Sequence, residues 1–203
     1  MAIEQLKPSR RPGPHRDRLI AAMAASIEGK GYRATTVADV VRIARTSRRT
    51  FYEEFPDREA CFLALFDATN DATMQSIAGA VHPDATLEEQ VDQALEAYID
   101  SICARPALYR SFVRELPALG QAGADRQLVV VERFAELLVN LVDSGRREQP
   151  GLGARPLTMD TAIMIVGGLR ELAVISMQRG RDVHDLRTSA GDPIKAILVE
   201  TLL

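Results

Sequence analysis

The sequence predicts an all-α protein of about nine helices, in which a short three-helix domain precedes a larger helical domain. Apolar residues recur at helical spacing through most of the chain, and no segment alternates as a convincing strand would. Aromatic residues make up only 5% of the chain, and tryptophan is absent. Leu, Val, Ile and Ala must therefore build the core, which favours helices over a sandwich of short strands.

The N-terminal segment, residues 1–15, is predicted to be a flexible basic arm, because three prolines and a glycine stand among its cations. A first helix begins near Arg16 and carries its apolar residues on one stripe. Gly29 and Gly31 are expected to end this helix.

Two short helices are predicted next. Thr36 is the N-cap of the second helix, and Asp39, three residues later, completes a capping box. A turn at residues 45–46 separates that helix from Ser47, which caps a third helix over residues 48–55. Pro56 ends the third helix.

The rest of the chain predicts six longer helices. Asp57 caps a fourth helix that runs to about residue 80, and Thr86 with Glu89 marks the start of a fifth. Four more helices follow from apolar spacing: one opened by Pro106, one ending at Gly145, one over residues 158–179, and a last one opened by Asp192 and Pro193.

Charge is distributed unevenly along the chain. The net charge is −3, but residues 1–50 carry eleven basic and four acidic side chains, which leaves +7 there and −10 on residues 51–203. A basic N-terminal segment followed by an acidic remainder indicates that only the N-terminal segment binds a polyanion.

The chain offers little for metal, disulfide or membrane chemistry. Its two cysteines, Cys61 and Cys103, lie in apolar helical patterns without a CxxC or Cys/His cluster, so we expect packing thiols and no metal, with a redox switch as the less favoured alternative. No secretory leader or membrane span is expected, and the protein is predicted to stay in the reducing cytoplasm.

Residues 36–55, TVADVVRIARTSRRTFYEEF, predict a helix-turn-helix. In this motif the first helix braces the second, which projects polar side chains into the DNA major groove. Arg48, Arg49 and Thr50 open the second helix, where side chains reach base edges, and Ser47 is placed for a phosphate. Phe51 and Phe55 should pack inward, while Tyr52 can face the DNA backbone.

The segment from Gly31 to Phe66, which contains this motif, resembles the DNA-binding domain of the TetR family of transcriptional regulators. The family's pattern is matched in order at the following positions: Thr36, Val40, Val41, Ala44, Ser47, Thr50, Tyr52, Phe55 and Glu59. The chain departs from the pattern at Arg45, Thr46, Arg49 and Arg58, and an arginine in place of the turn glycine predicts a strained or altered turn.

The resemblance implies which residues contact DNA and how the chain divides. The predicted DNA contacts are Thr36, Arg45, Thr46, Ser47, Arg48, Arg49, Thr50, Tyr52 and Arg58, with Arg58 on a phosphate. Arg10 and Arg11 in the arm either reach a minor groove or belong to a disordered tail. Residues 16–56 are the predicted helix-turn-helix domain, and residues 57–203 the predicted ligand-binding and dimerisation domain.

The larger domain shows no nucleotide, metalloprotease or nucleophile motif, and the three histidines are far apart in the chain, so we expect neither an enzyme nor a cofactor. The resemblance implies instead a pocket among helices four to eight and a homodimer through the last two helices. Apolar faces suggest five pocket residues, with ordinary core as the alternative: Tyr98, Tyr109, Phe112, Phe134 and Met164. Arg170 is the candidate charged residue of the same pocket.

Two pairs in the penultimate helix leave alternatives open. Arg170 and Glu171 fit an intersubunit ion pair, a pocket anchor or a solvated edge. Gly167 and Gly168, in mid-helix, serve close helix packing or leave room for a ligand.

The sequence is thus interpreted as a repressor that a largely hydrophobic small molecule releases from a pseudo-palindromic operator. An activator or a non-sensing DNA binder is the alternative within this class. A helical enzyme or carrier with a vestigial DNA-binding domain is the alternative outside it.

Overall fold

The structure, a computed structural model, describes residues 13–148 and 156–202. Within these ranges the chain is helical and contains no strand, in agreement with the predicted all-α class. The α-helices are α1 (Pro14–Lys30), α2 (Val37–Ile43), α3 (Arg48–Glu54), α4 (Arg58–Ala80), α5 (Leu87–Ala104), α6 (Pro106–Glu115), α7 (Gly120–Glu148), α8 (Met159–Gln178), α9 (Leu186–Ser189) and α10 (Gly191–Leu202). Short 3₁₀ turns precede α7 (Pro117–Leu119) and α9 (Val183–Asp185).

Helix starts follow local capping chemistry. The predicted capping boxes are confirmed at both sites, Thr36 with Asp39 and Thr86 with Glu89. Ser47 accepts from the Thr50 amide as N-cap of α3. Each such cap satisfies amide donors that have no partner inside the helix.

Of the two glycines predicted to end the first helix, Gly31 does so and Gly29 does not. Gly29 lies inside α1, which ends at Lys30 with Gly31 as its C-cap. The φ of Gly31, 81°, is in the left-handed region that glycine adopts without strain. The Gly31 amide still donates to the Ile27 carbonyl at 2.8 Å, which closes the last turn.

The prediction that Gly145 ends a helix is wrong, because α7 runs through it to Glu148. Gly145 is buried, and a Cβ added there would lie 2.9 Å from the side-chain oxygen of Gln90. Glycine is therefore retained in mid-helix for close packing against Gln90. The buried Gln90 amide in turn donates to three carbonyls of the loop between α4 and α5, those of His82, Pro83 and Ala85.

The last helix also starts earlier than predicted. Asp192 and Pro193 were expected as N-cap and first residue, but α10 already begins at Gly191. The Ile194 amide donates to the Ala190 carbonyl at 3.0 Å, so the first turn closes on the end of α9. Because α9 is only four residues long, its single turn left no periodic pattern from which it could be predicted.

The chain divides into two compact units, and the division falls inside α4 between Leu65 and Phe66. In the N-terminal unit, helices α1 to α3 and the first turns of α4 bury the largest side chains, among them Leu19, Met23, Phe51, Phe55 and Phe62. In the C-terminal unit, apolar faces of α5, α7, α8 and α10 form one cluster, and α5, α8 and α9 contribute to a second.

Both cysteines are free thiols in the structure. Cys61 is buried, and burial raises the pKa of its thiol to about 12, so it is protonated at neutral pH and packs as an apolar group. Burial also raises the pKa of the half-buried Cys103. The described helices include none with the length and apolar character needed to cross a membrane.

Candidate nucleic-acid interface and ligand cavity

The α2–turn–α3 segment has the two-sided character that a helix-turn-helix requires. Val40, Val41, Phe51 and Phe55 are buried, as predicted for the inward face. Tyr52 is 57% exposed and points its ring edge-on against Phe51. The inward residues therefore fix α3 against its own unit and leave its opposite face open to solvent.

The turn between α2 and α3 carries backbone strain at one residue. Arg45 has a φ of 51°. Every other residue with a positive φ in the described part of the chain is a glycine. The Thr46 amide donates to the Val41 carbonyl at 2.9 Å, which fixes the reversal of the chain. A left-handed conformation costs a side-chain-bearing residue roughly 1–2 kcal/mol, so this arginine is held there against its own preference.

The start of α3 presents polar side chains to solvent. Ser47 accepts from the Thr50 amide at 3.1 Å, and their two hydroxyl oxygens lie 3.0 Å apart. Arg48 is exposed and makes no ion pair with any described residue. Arg49 is also exposed, but its Nε donates to Glu53 one turn later at 3.0 Å. Arg48 is thus the freer of the two arginines.

The Arg58 side chain is bound within the N-terminal unit, and its predicted contact with a DNA phosphate stays a prediction. Its guanidinium donates to the Thr35 carbonyl at 2.6 Å and, at 3.4 Å, to the carbonyl of Tyr32. It also stacks on the Tyr32 ring, 4.4 Å from the ring centre. These bonds tie the start of α4 to the loop before α2. Arg58 therefore stabilises the N-terminal unit, and this role does not depend on a contact between a remaining N–H and DNA.

The first turn of α2 is fixed by more than its cap. Thr36 is exposed, and its capping partner Asp39 also pairs with Lys30 at 2.6 Å. Hydrogen bonds from Lys30 and Thr36 hold the pKa of the Asp39 carboxyl well below its usual range. Asp39 is therefore ionised at neutral pH and joins the end of α1 to the start of α2.

Two supports of the interface were missed by sequence reasoning. Arg16 donates to the carbonyl of Glu54 at 3.1 Å and lies 4.3 Å from the centre of the Phe55 ring, so it holds the end of α3 to α1. The fully buried Thr35 hydroxyl bonds to Ser26 and to the Gly31 carbonyl. Neither residue belongs to a local motif, so only the tertiary contact reveals its role.

The C-terminal unit encloses an apolar cavity. Its walls come from α4, α5, α6, α7, α8 and α10, and about 150 Å³ inside is open to water. One water needs roughly 10–15 Å³ of such space, so the cavity has room for an organic molecule. Its lining is mostly aliphatic and aromatic and includes Phe66, Ile77, Leu95, Val113, Val131, Leu138, Ile165 and Leu169.

Five of the six predicted pocket residues line this cavity: Tyr98, Tyr109, Phe112, Phe134 and Arg170. The hydroxyls of Tyr98 and Tyr109 lie 3.0 Å apart, and the Tyr98 ring meets Phe134 edge-on. Arg170 is the one charged residue of the lining.

Met164 is the exception, and its predicted placement in the pocket is corrected. Its side chain is 58% exposed and lies outside the lining. The neighbouring helix positions Ile165, Val166, Leu169 and Arg170 face the cavity instead. Helix α8 is apolar on its exposed side as well as on its cavity side, so hydropathy alone does not reveal which residues face the cavity, and this is why the prediction failed.

The glycine pair of α8 does not pack closely within the chain. A Cβ added at Gly167 or Gly168 would have no atom within 4 Å, so the close-packing alternative is not seen among the described residues. Neither glycine lines the cavity.

The arm residues Arg10 and Arg11, predicted either to reach a minor groove or to belong to a disordered tail, lie outside the described residues.

The N-terminal region matches a known family. The family model of bacterial regulatory proteins of the tetR family matches residues 19–65, the part of the chain that contains the helix-turn-helix. No curated protein matches this sequence significantly.

Several solved structures share the fold over nearly the full chain. The fatty acid degradation regulator FadR from Bacillus halodurans superposes with a TM-score of 0.71 at 20% identity, over 95% of this chain and 98% of that one. Salmonella enterica GusR superposes with a TM-score of 0.69 at 16% identity, over 96% and 98%. FadR from Bacillus subtilis, solved in complex with stearoyl-CoA, gives a TM-score of 0.69 at 16% identity, over 92% and 99%.

Proposed function

We propose that this chain, which belongs to the tetR family of bacterial regulatory proteins, is a dimeric transcriptional repressor that leaves its operator when a small apolar molecule fills its cavity. The observation that carries the proposal is the pairing of an exposed, braced recognition helix with an apolar cavity on one chain. Such a protein works in the cytoplasm, where its DNA lies.

The cavity favours binding over catalysis. Its lining contains no histidine, cysteine, aspartate or glutamate, the side chains that most often move protons or attack substrates. The Ser101 hydroxyl donates to the Ala97 carbonyl at 2.8 Å and is therefore not activated as a nucleophile. This argues against the enzyme alternative and supports a sensor.

The apolar lining also indicates the kind of effector. A strongly polar ligand would need many buried partners, and the lining offers few. The stearoyl-CoA bound by Bacillus subtilis FadR has a long acyl chain, which is consistent with a site of this character in the fold. We therefore expect a mainly hydrocarbon effector with one polar end.

Helix α4 provides a route between effector and DNA. Its first turns belong to the N-terminal unit, and its residues Phe66, Thr69, Asn70, Thr73 and Ile77 line the cavity. We propose that an effector displaces this helix and changes the separation of two recognition helices, which an operator needs about 34–36 Å apart.

The DNA half of the proposal is tested by Arg48. An operator is selected from random duplex DNA with purified protein, and its affinity is measured by mobility shift at fixed salt. Arg48→Ala should lower operator affinity by about 1–3 kcal/mol with little change on random DNA, because a base contact is lost. Arg110→Ala, an exposed arginine on α6, is the matched control and should leave operator affinity unchanged. Equal losses on operator and random DNA would show that Arg48 reads no base.

Dimerisation is proposed through the outward face of α8 together with α10. Met164, Gly168 and Leu172 follow one another at four-residue spacing on α8 and are all exposed, and Val199 on α10 is exposed as well. An apolar stripe with a glycine at its centre suits a second helix that approaches closely, and a self-complementary patch closes as a two-fold dimer.

Sedimentation checks the dimer. The wild-type protein should be dimeric at micromolar concentration, and Leu172→Glu should raise the dissociation constant at least ~10-fold, because it buries an unpaired charge. Gln75→Glu adds the same charge at an exposed site on α4 and is the control. A folded wild-type monomer at micromolar concentration would contradict the proposed assembly.

A further inference from the structure

Two tyrosines and one arginine are among the polar residues that line the cavity. Tyr98 and Tyr109 share one hydrogen bond of 3.0 Å between their hydroxyls, so one O–H donates to the other oxygen. The second O–H has no acceptor among the described residues. This O–H lies in the lining of the cavity, where an acceptor atom of a ligand can take it in place of water.

Arg170 adds positive charge to the same lining. Burial raises the pKa of both tyrosines, and the positive charge of Arg170 opposes that rise at each of them. Both hydroxyls are therefore neutral donors at physiological pH and lie within the electrostatic reach of the guanidinium.

The guanidinium is incompletely satisfied inside the described part of the chain. Its partner there is Glu171, at 3.6 Å, which is longer than a hydrogen bond, and the Glu171 side chain is largely exposed. An arginine offers five donors in a fork that fits a carboxylate with two parallel bonds. Arg170 thus retains donors for a ligand.

Five further polar residues line the cavity, and none of them carries a charge: Thr69, Asn70, Thr73, Ser101 and Gln127. Asn70, Thr73 and Ser101 each donate to a backbone carbonyl four residues earlier in their own helix. The lining therefore presents a mainly hydrocarbon surface, a few neutral polar groups and one cation, Arg170. The Arg170 side chain is 31% exposed, so its charge is only partly screened by water. A cation in an apolar wall favours an anionic ligand over a neutral one, because opposite charges attract more strongly where water is partly excluded.

We infer that the effector is an apolar monocarboxylate whose carboxylate binds Arg170 and the Tyr98–Tyr109 pair, while its hydrocarbon body fills the rest of the cavity. The inference rests on the proposed function, since it names the chemical class of the molecule that this function requires. It separates a free carboxylic acid from a thioester of the same acyl chain, which has no carboxylate to offer.

The test compares ligands that share one ten-carbon body and differ at the end. Titration calorimetry of the full chain at pH 7.5 uses decanoate, decanol, decylamine and decanoyl-CoA. Decanoate should bind at least ~10-fold more tightly than decanol, since a charge-assisted bond is stronger than a neutral one, and decylamine should bind more weakly than decanol. Decanoate should also lower operator affinity.

Variants assign the preference to its residues. Arg170→Met should bring decanoate to within ~3-fold of decanol and leave decanol binding unchanged, because the hydrocarbon contacts remain. Tyr109→Phe keeps the ring and should reduce the acid-over-alcohol ratio by a smaller factor, ~3-fold. Arg110→Met, the exposed neighbour of Tyr109, is the control and should keep the wild-type ratio. The ratio of two ligands on one variant does not depend on small changes in folding.

The outcomes separate this inference from the proposed function. Decanol binding as tightly as decanoate, or decanoyl-CoA binding more tightly than decanoate, would overturn the carboxylate and leave an effector-binding regulator standing. A preference for decanoate that survives Arg170→Met would equally overturn the assigned site. If no ligand of the series binds at all, the apolar effector of the proposed function fails together with the inference.

Discussion

The two units of this chain are packed in opposite ways. In the N-terminal unit the aromatic residues Phe51, Phe55 and Phe62 are fully or almost fully buried, and arginines tie the helix ends to neighbouring carbonyls. In the C-terminal unit six helices surround an apolar space that their own side chains do not fill. The first arrangement holds one rigid geometry, which reading base edges requires. The second forgoes part of its packing energy, which a ligand can restore.

The largest expected effect comes from making the same substitution in both units. Ala24 lies on the buried face of α1 and is almost fully buried. Ala24→Leu adds three carbon atoms there and should lower the free energy of unfolding of the N-terminal unit by about 1–3 kcal/mol. Ala94→Leu adds the same atoms to the cavity wall and should change stability by less than ~1 kcal/mol, because space is already present.

Urea unfolding followed by circular dichroism measures both variants. Ala94→Leu should in addition weaken decanoate binding, since the leucine occupies ligand space. Equal destabilisation by the two substitutions would mean that the C-terminal unit is packed as solidly as the N-terminal one, and the two units would not differ in packing.

A smaller effect is expected at the strained turn of the N-terminal unit. Arg45→Gly should raise the free energy of unfolding by about 1 kcal/mol, because glycine adopts the positive φ of that position without a Cβ clash. The same change removes an exposed charge from the predicted DNA face and should lower DNA affinity.

Arg45→Ala separates the two contributions, since alanine removes the charge but keeps the clash. It should lose DNA affinity as glycine does, without the gain in stability. A thermal unfolding series in which glycine is no more stable than arginine would show that the turn stores no strain, and mobility shifts at two salt concentrations would report the lost charge.

The N-terminal unit could be predicted almost entirely from sequence, because its determinants are local. The caps at Thr36 and Ser47 depend on groups three residues apart, and the structure confirms them. The inward places of Phe51 and Phe55 follow from helical spacing within a single turn. Arg58 shows the limit, since its bonds to Tyr32 and Thr35 join residues far apart in sequence.

The C-terminal unit was predicted less completely. Tyr98, Tyr109 and Arg170, predicted as pocket residues, line one cavity, and their contact with a ligand stays a prediction. Met164, on the same helix as Arg170, faces outward. Gly145, interpreted as a helix end, lies inside α7 because Gln90 packs against it. In both cases the sequence shows the apolar helix or the glycine. It does not show which distant segment packs against that residue, and this packing decides whether the residue faces the cavity, ends a helix or lies within one.

By itself the sequence determined the helical class, the helix-turn-helix, the capping residues and the basic character of the N-terminal end. All of these depend on residues close together in the chain or on composition. Only the tertiary structure decided that Arg170 and the two tyrosines line one unfilled cavity, and that Arg58 is held by carbonyls. The physical reason is that periodicity shows which side of a helix is covered, whereas the covering atoms, and the empty space between them, come from distant segments.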